Sequence, residues 1–386
     1  MAISRRRFIA GSLATTAGSK LLLPGTTRLN PTSRIAQTHE ASFCPETFSV
    51  IPVVGDGKWI SKDPPKEESG NFDPREFDVS VGIEIEGQGN GHQISASTVA
   101  PVVHNEQQIK EVSVETTGCQ ARLIPLANTA GQLVLHAAGI GAGQVISANA
   151  KYRVQLFKSY MGHEQSRFPS VQNEKNLPKN FKRFTNSSPG VKVTSSRVKD
   201  LFKTLVISSM HPWAMAEKFY TWVWENIEGV PGSYTSVDNA IKTKKGDCEE
   251  RACVFIALCR AAGIPARQVW VPSHMWAEFG LHDESGKFHW IPVHTAAYSW
   301  FGWTGAHELV LQKGGRIRIP ARKKTLRLID DWYQMQGTRA KFTFTTELIP
   351  VAKEGIAHAP GGRIKLPNGK WKLIGKHPAN KFHRDS

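Results

Sequence analysis

Gly246-Asp247-Cys248-Glu249-Glu250 and, twenty-six residues after the cysteine, His274 are the residues whose types and spacing best fit chemistry. Cysteine is a strong nucleophile as its thiolate, so its reactivity follows its pKa. After Cys248 the chain reads Arg251-Ala252-Cys253-Val254-Phe255-Ile256-Ala257-Leu258-Cys259-Arg260-Ala261-Ala262, a run of good helix formers stopped by Gly263 and Pro265. Asp247 and Glu250 have the N-cap and N3 spacing of a capping box, which predicts Cys248 at the first helical position. There the backbone N–H groups and the positive end of the helix dipole lower a thiol's pKa. A histidine arriving on a strand supplies the base, and the chemistry of such a pair is nucleophilic acyl transfer. Cys253 and Cys259 fall at helical spacing among Ala252, Phe255 and Ile256, and read as small buried hydrophobes.

Three blocks lie in order around this pair: Lys245 to Glu250, Leu258-Cys259-Arg260-Ala261-Ala262-Gly263-Ile264-Pro265-Ala266-Arg267, and His274-Met275-Trp276-Ala277-Glu278-Phe279. A helix-forming stretch from Ala216 to Ile227 precedes them. Over about residues 195 to 300 this pattern resembles the transglutaminase-like superfamily of papain-like thiol enzymes. The resemblance implies an α+β core with Cys248 as nucleophile and His274 as base. It also implies an aspartate one strand later, where this chain reads Trp290-Ile291-Pro292-Val293-His294. His294 therefore stands where an orienting carboxylate is expected. A neutral imidazole accepts a hydrogen bond but stabilises an imidazolium less than a carboxylate does. Glu278, four residues past His274 on the same strand face, is another candidate partner. Asp283 and Glu284 fall in the turn Asp283-Glu284-Ser285-Gly286, where solvent is expected.

The oxyanion of such a reaction needs a donor, for which the Cys248 backbone N–H is the natural candidate. Part of the family uses an indole N–H, and Trp213, Trp222 and Trp224 are candidates that spacing does not separate. The segments 271–274 and 298–305 are expected to line the substrate pocket, with Trp276, Trp300 and Trp303 as aromatic candidates. Core packing is the equal alternative for those rings. The reaction implied is hydrolysis or transamidation of an amide or peptide bond, with a protein or peptide as substrate. The other reading is a degenerate site on the same fold, serving as a binding or scaffold protein of the cell envelope.

The elements that must position these residues follow from the pattern. Phe77-Asp78-Val79-Ser80-Val81-Gly82-Ile83-Glu84-Ile85-Glu86 alternates strictly, the mark of a half-buried strand. Shorter strand-like runs follow at 99–103, 111–115, 122–126, 133–137 and 152–157. They predict a small β-sandwich over 75–160. Residues 1–40 read as a signal and spacer, 41–75 as irregular and 161–194 as a polar, proline-bearing linker. Residues 195–350 read as the catalytic core and 351–386 as a basic flexible tail.

Ser4-Arg5-Arg6-Arg7-Phe8-Ile9 has the twin-arginine pattern of a bacterial export signal, and the stretch after it is too short and polar to span a bilayer. The expected location is therefore periplasmic or extracellular. With 386 residues and 40% hydrophobic composition the chain can build two to three cores. Five cysteines do not make a disulfide scaffold, although Cys44 and Cys119 would be free to pair in an oxidising compartment. There is no Cys-x-x-Cys pair and no histidine cluster along the sequence, so neither a metal nor a cofactor is expected. The net charge of +16 is spread rather than gathered in a nucleic-acid motif, and points to anionic envelope polymers as partners.

Overall fold

The computed structural model describes residues 63–65, 69–126, 129–161, 165–169, 177, 181–230, 232–272, 274–296 and 300–351, with the backbone of four short strands at 32–35, 357–359, 363–365 and 371–373. The twin-arginine segment, Cys44 and the flexible-tail assignment lie outside the residues so described, save for those short strands. In chain order the main elements are β1 (Gly70–Gly87), β2 (Gly91–Ala100), β3 (Gln107–Thr117), β4 (Gln120–Leu126), β5 (Ala130–Ile140) and β6 (Val145–Tyr160). Then come α1 (Ser196–Leu205), α2 (Pro212–Asn226), α3 (Val237–Thr243) and α4 (Cys248–Ala261). They are followed by β7 (Ala266–Val271), β8 (His274–His282), β9 (Phe288–Val293), β10 (Trp332–Gly337) and β11 (Ala340–Pro350). Mixed helices and sheets give the α+β class, with a β-rich N-terminal region.

The chain divides into two compact units. The first holds Met1–Glu40, Glu76–Gln155 and Leu328–Leu373. Its strands run in the orders β11-β1-β6-β3 and β4-β5-β2-β10. Alternation dictates the faces: Phe77, Val79, Val81, Ile83 and Ile85 are buried, and the antiparallel partner β11 sets Phe344 opposite Ile83 and Phe342 opposite Ile85. The strands over residues 332–350 take their partners from this unit: β10 pairs with β2 and β11 with β1. Their period-2 pattern fits any half-buried sheet, and sequence distance hid the partner strands at 77–100.

The second unit holds Ala41–Arg75, Leu156–Arg327 and Ile374–Ser386. At its centre α4 packs on β7 and β8 and is flanked by α1, α2 and α3. Every residue from Cys248 to Arg260 is buried, so α4 is enclosed all round rather than striped. Its charged residues survive burial because each is engaged. Arg260 donates to the carbonyls of Ala266 (2.9 Å) and Asn186 (2.8 Å), Arg251 lies over the Trp224 ring, and Glu249 pairs with Arg327. Burial pulls Arg260 down to about 10, which leaves it charged at neutral pH. The described parts of 161–194 are not a polar linker. Phe168 stacks on Trp213 at 5.4 Å, Phe181 meets Phe288 at 4.6 Å and Phe184 meets Trp290 edge-on at 5.3 Å. A few aromatics among many polar residues are enough to hold such a segment down, since each buries a large apolar area.

Candidate functional site

Asp247 is the N-cap of α4, with extended backbone angles. Its Oδ1 accepts from the N–H groups of Glu249 (2.8 Å) and Glu250 (3.4 Å), and Glu250 Oε2 accepts from the Asp247 N–H (3.1 Å). This is a reciprocal capping box, and it fixes the first turn that carries Cys248. Glu250 also accepts from Thr235 N–H at 2.6 Å, which ties the helix start to the preceding loop. Gly246 lets this happen. A Cβ there would lie 2.5 Å from Glu250 Cβ, closer than real contacts allow. Cys248 is buried.

His274 opens β8, on which α4 packs. The β8–β9 register pairs Ala277 with Val293, so one step further His294 comes opposite Trp276. His274, two residues before Trp276 on the same face, is then the diagonal neighbour of His294. The two imidazoles lie 5.6 Å apart between ring centroids. Trp276 stacks on His294 at 4.9 Å, and Trp300 meets it edge-on at 4.8 Å. Trp303 packs on Trp300 at 5.3 Å. These indoles are buried around His294. Desolvation, and then the neighbouring His274, hold His294 well below the ordinary histidine value, so it is neutral at pH 7.

A carboxylate does reach the site, from a residue the sequence did not suggest. Glu308 Oε2 lies 3.4 Å from His294 Nε2, with both side chains buried. His274, His294 and Glu308 each offer a donor atom, and these atoms all lie within 4.8 Å of one another. The fold thus gathers a group that is dispersed along the sequence. Its members stand at positions 274, 294 and 308, a spacing no metal motif would flag. The adjacent His307, in an acid-bearing stretch before the apolar run Leu309-Val310-Leu311, was the signal available.

Glu278 is engaged elsewhere. It accepts from Arg267 Nε at 2.6 Å and from Lys313 Nζ at 2.5 Å, in a buried ion triplet. Asp283 accepts from Ser285, the Lys287 N–H and His289, and is part-buried rather than solvated. Among the indole candidates, Trp213 is packed between Phe168, Phe279 and Phe301. Trp222 carries Lys244 over its ring at 4.0 Å, and Trp224 is exposed and stacked on Tyr220. Cys119 is a free thiol that donates to the Ser147 carbonyl.

Residues 199–295, which hold the capped helix, His274 and His294, match the family model of the transglutaminase-like superfamily. This segment is a transglutaminase-like core. A candidate cysteine protease from Cytophaga hutchinsonii has a similar fold, with a TM-score of 0.51 and 16% identity over 74% of this chain and 94% of that one. A candidate protease from Parabacteroides distasonis gives a TM-score of 0.23 and 13% identity over 53% of this chain and 42% of its own. No curated protein matches the sequence. Among the described residues, no helix is long and apolar enough to cross a membrane.

Proposed function

We propose that the protein is a thiol hydrolase that cleaves amide or peptide bonds through Cys248. The observation that carries this reading is a capping-box helix start at Cys248 packed on the strand that His274 opens. In the proposed reaction His274 takes the Cys248 proton and the thiolate attacks the substrate carbonyl. The helix-start N–H groups stabilise the oxyanion. The intermediate collapses to a thioester as His274 passes its proton to the leaving amine. Water, deprotonated by His274, then releases the acid and restores the thiol. His294 orients His274, and Glu308 in turn holds His294, so that a His–carboxylate relay replaces a direct aspartate. Such a relay is consistent with a neutral His294, which does not oppose the imidazolium as a charged ring would.

The expected substrate is a protein or peptide outside the cytoplasm, reached through twin-arginine export, with the basic surface drawn to anionic envelope polymers. The fold similarity to a candidate cysteine protease supports hydrolysis over amine transfer. The replacement of the expected aspartate by His294 favours the second reading, a non-catalytic binding protein. The pH dependence of Cys248 alkylation decides between them. A thiolate pKa below the free-cysteine range near 8.5, raised in His274→Ala, is the expected result. Reactivity that is absent or indifferent to His274 leaves only the binding role.

A further inference from the structure

We propose that His274, His294 and Glu308 form a site for one divalent transition-metal cation of the zinc class. The donors are two imidazole nitrogens and one carboxylate oxygen, a set that suits such ions. Their spacing supports it. Two donors held about 2.1 Å from a tetrahedral ion lie about 3.4 Å from each other. His294 Nε2 and Glu308 Oε2 are 3.4 Å apart. The pair therefore has the length of one edge of a coordination tetrahedron. The third donor lies within 4.8 Å of both, so closure on an ion needs side-chain shifts of roughly an ångström or so.

The surroundings fit as well. All three side chains are buried, at 3%, 0% and 5% exposure for His274, His294 and Glu308. The indoles of Trp276 and Trp300 enclose His294 and fix the plane of its ring. An apolar shell of this kind excludes water and strengthens coordination, and a bound cation compensates the buried carboxylate. Three protein ligands leave a fourth position open, which structural zinc sites lack. A metal on His274 uses the lone pair with which that residue would accept a proton. Occupancy and thiol chemistry then exclude one another, a consequence that alone rests on the function proposed above.

The test is titration of the full-length Cys248→Ser chain with Zn²⁺ by calorimetry, repeated with Glu308→Gln and His294→Gln added, and with circular dichroism to check folding. One Zn²⁺ per chain is expected in Cys248→Ser. Glu308→Gln should weaken it by more than the roughly 10–100-fold that loss of an outer-shell partner costs. Should His294→Gln fail to fold, Co²⁺ absorption of Cys248→Ser decides: visible d–d bands without sulfur-to-cobalt charge transfer are expected. The proposal is overturned by no stoichiometric Zn²⁺ binding, by binding that Glu308→Gln leaves unchanged, or by a thiolate signature in the cobalt spectrum. Because the nucleophile is absent throughout, failure here leaves the thiol reading standing, and failed alkylation leaves the metal site standing.

Discussion

Cys248 has three acids for chain neighbours, and each would raise its thiol pKa if it faced the sulfur as an uncompensated charge. Asp247 and Glu250 are committed to the capping box, and Glu249 pairs with Arg327. The proposed thiolate thus depends on Arg327, a residue remote in sequence. Arg327→Leu leaves the buried Glu249 charge without its partner. It is expected to lower stability by about 3–5 kcal/mol and to slow Cys248 alkylation at pH 7. Unchanged alkylation in a folded Arg327→Leu protein would show that Glu249 does not reach the sulfur. Glu308→Gln probes the other side of the pair. It should move the Cys248 alkylation midpoint up toward the free-cysteine range near 8.5, because the imidazolium loses its distant carboxylate. A midpoint that stays put would remove Glu308 from the relay.

At the scale of elements, the helix start and the strand pair are what bring the chemistry together. Gly246→Ala drives a methyl group against Glu250 Cβ, buried helix stem rather than a flexible tip. The cap should loosen, with a loss of about 1–3 kcal/mol from overpacking read as a lower Tm. An unchanged Tm would mean the loop before α4 can shift freely. The spacing Asp247-Cys248-Glu250 and the alternation at Phe77 to Glu86 were legible because caps and strands impose short, regular periods on sequence. Glu308 was not, since it lies in a stretch without helix or strand, thirty-four residues after His274. Its approach to His294 is set by tertiary packing, for which no local period exists. The return of β11 to β1 was hidden for the same reason: its alternation was visible, its partner was not.

For the whole molecule, acid sensitivity has a predictable sign. Partial burial holds His282 below its ordinary value, with Asp283 opposing the shift and His289 adding to it. The unfolded chain takes this proton below about pH 6.5, while the folded chain resists it. The stabilising contribution is therefore full above that pH and is lost as pH falls beneath it. Between pH 7 and 5, Tm should fall more in the wild type than in His282→Gln; equal slopes would contradict the shift. Asp283, whose carboxyl is held low mainly by its Ser285 hydrogen bond, acts at more acidic pH and does not blur the comparison. The export proposal is tested by fusing residues 1–40 to a folded reporter. Arg5→Lys with Arg6→Lys should abolish its appearance outside the cytoplasm, and export that persists would argue for another route.

The stack of Trp276 on His294, with Trp300 at its edge, gives the molecule an optical readout of its own centre. Indole emission is quenched by a neighbouring imidazolium far more than by a neutral ring. A proton or an ion arriving at His274 or His294 should therefore change the tryptophan spectrum without any added dye, and stopped-flow fluorescence can time those arrivals in the unlabelled protein.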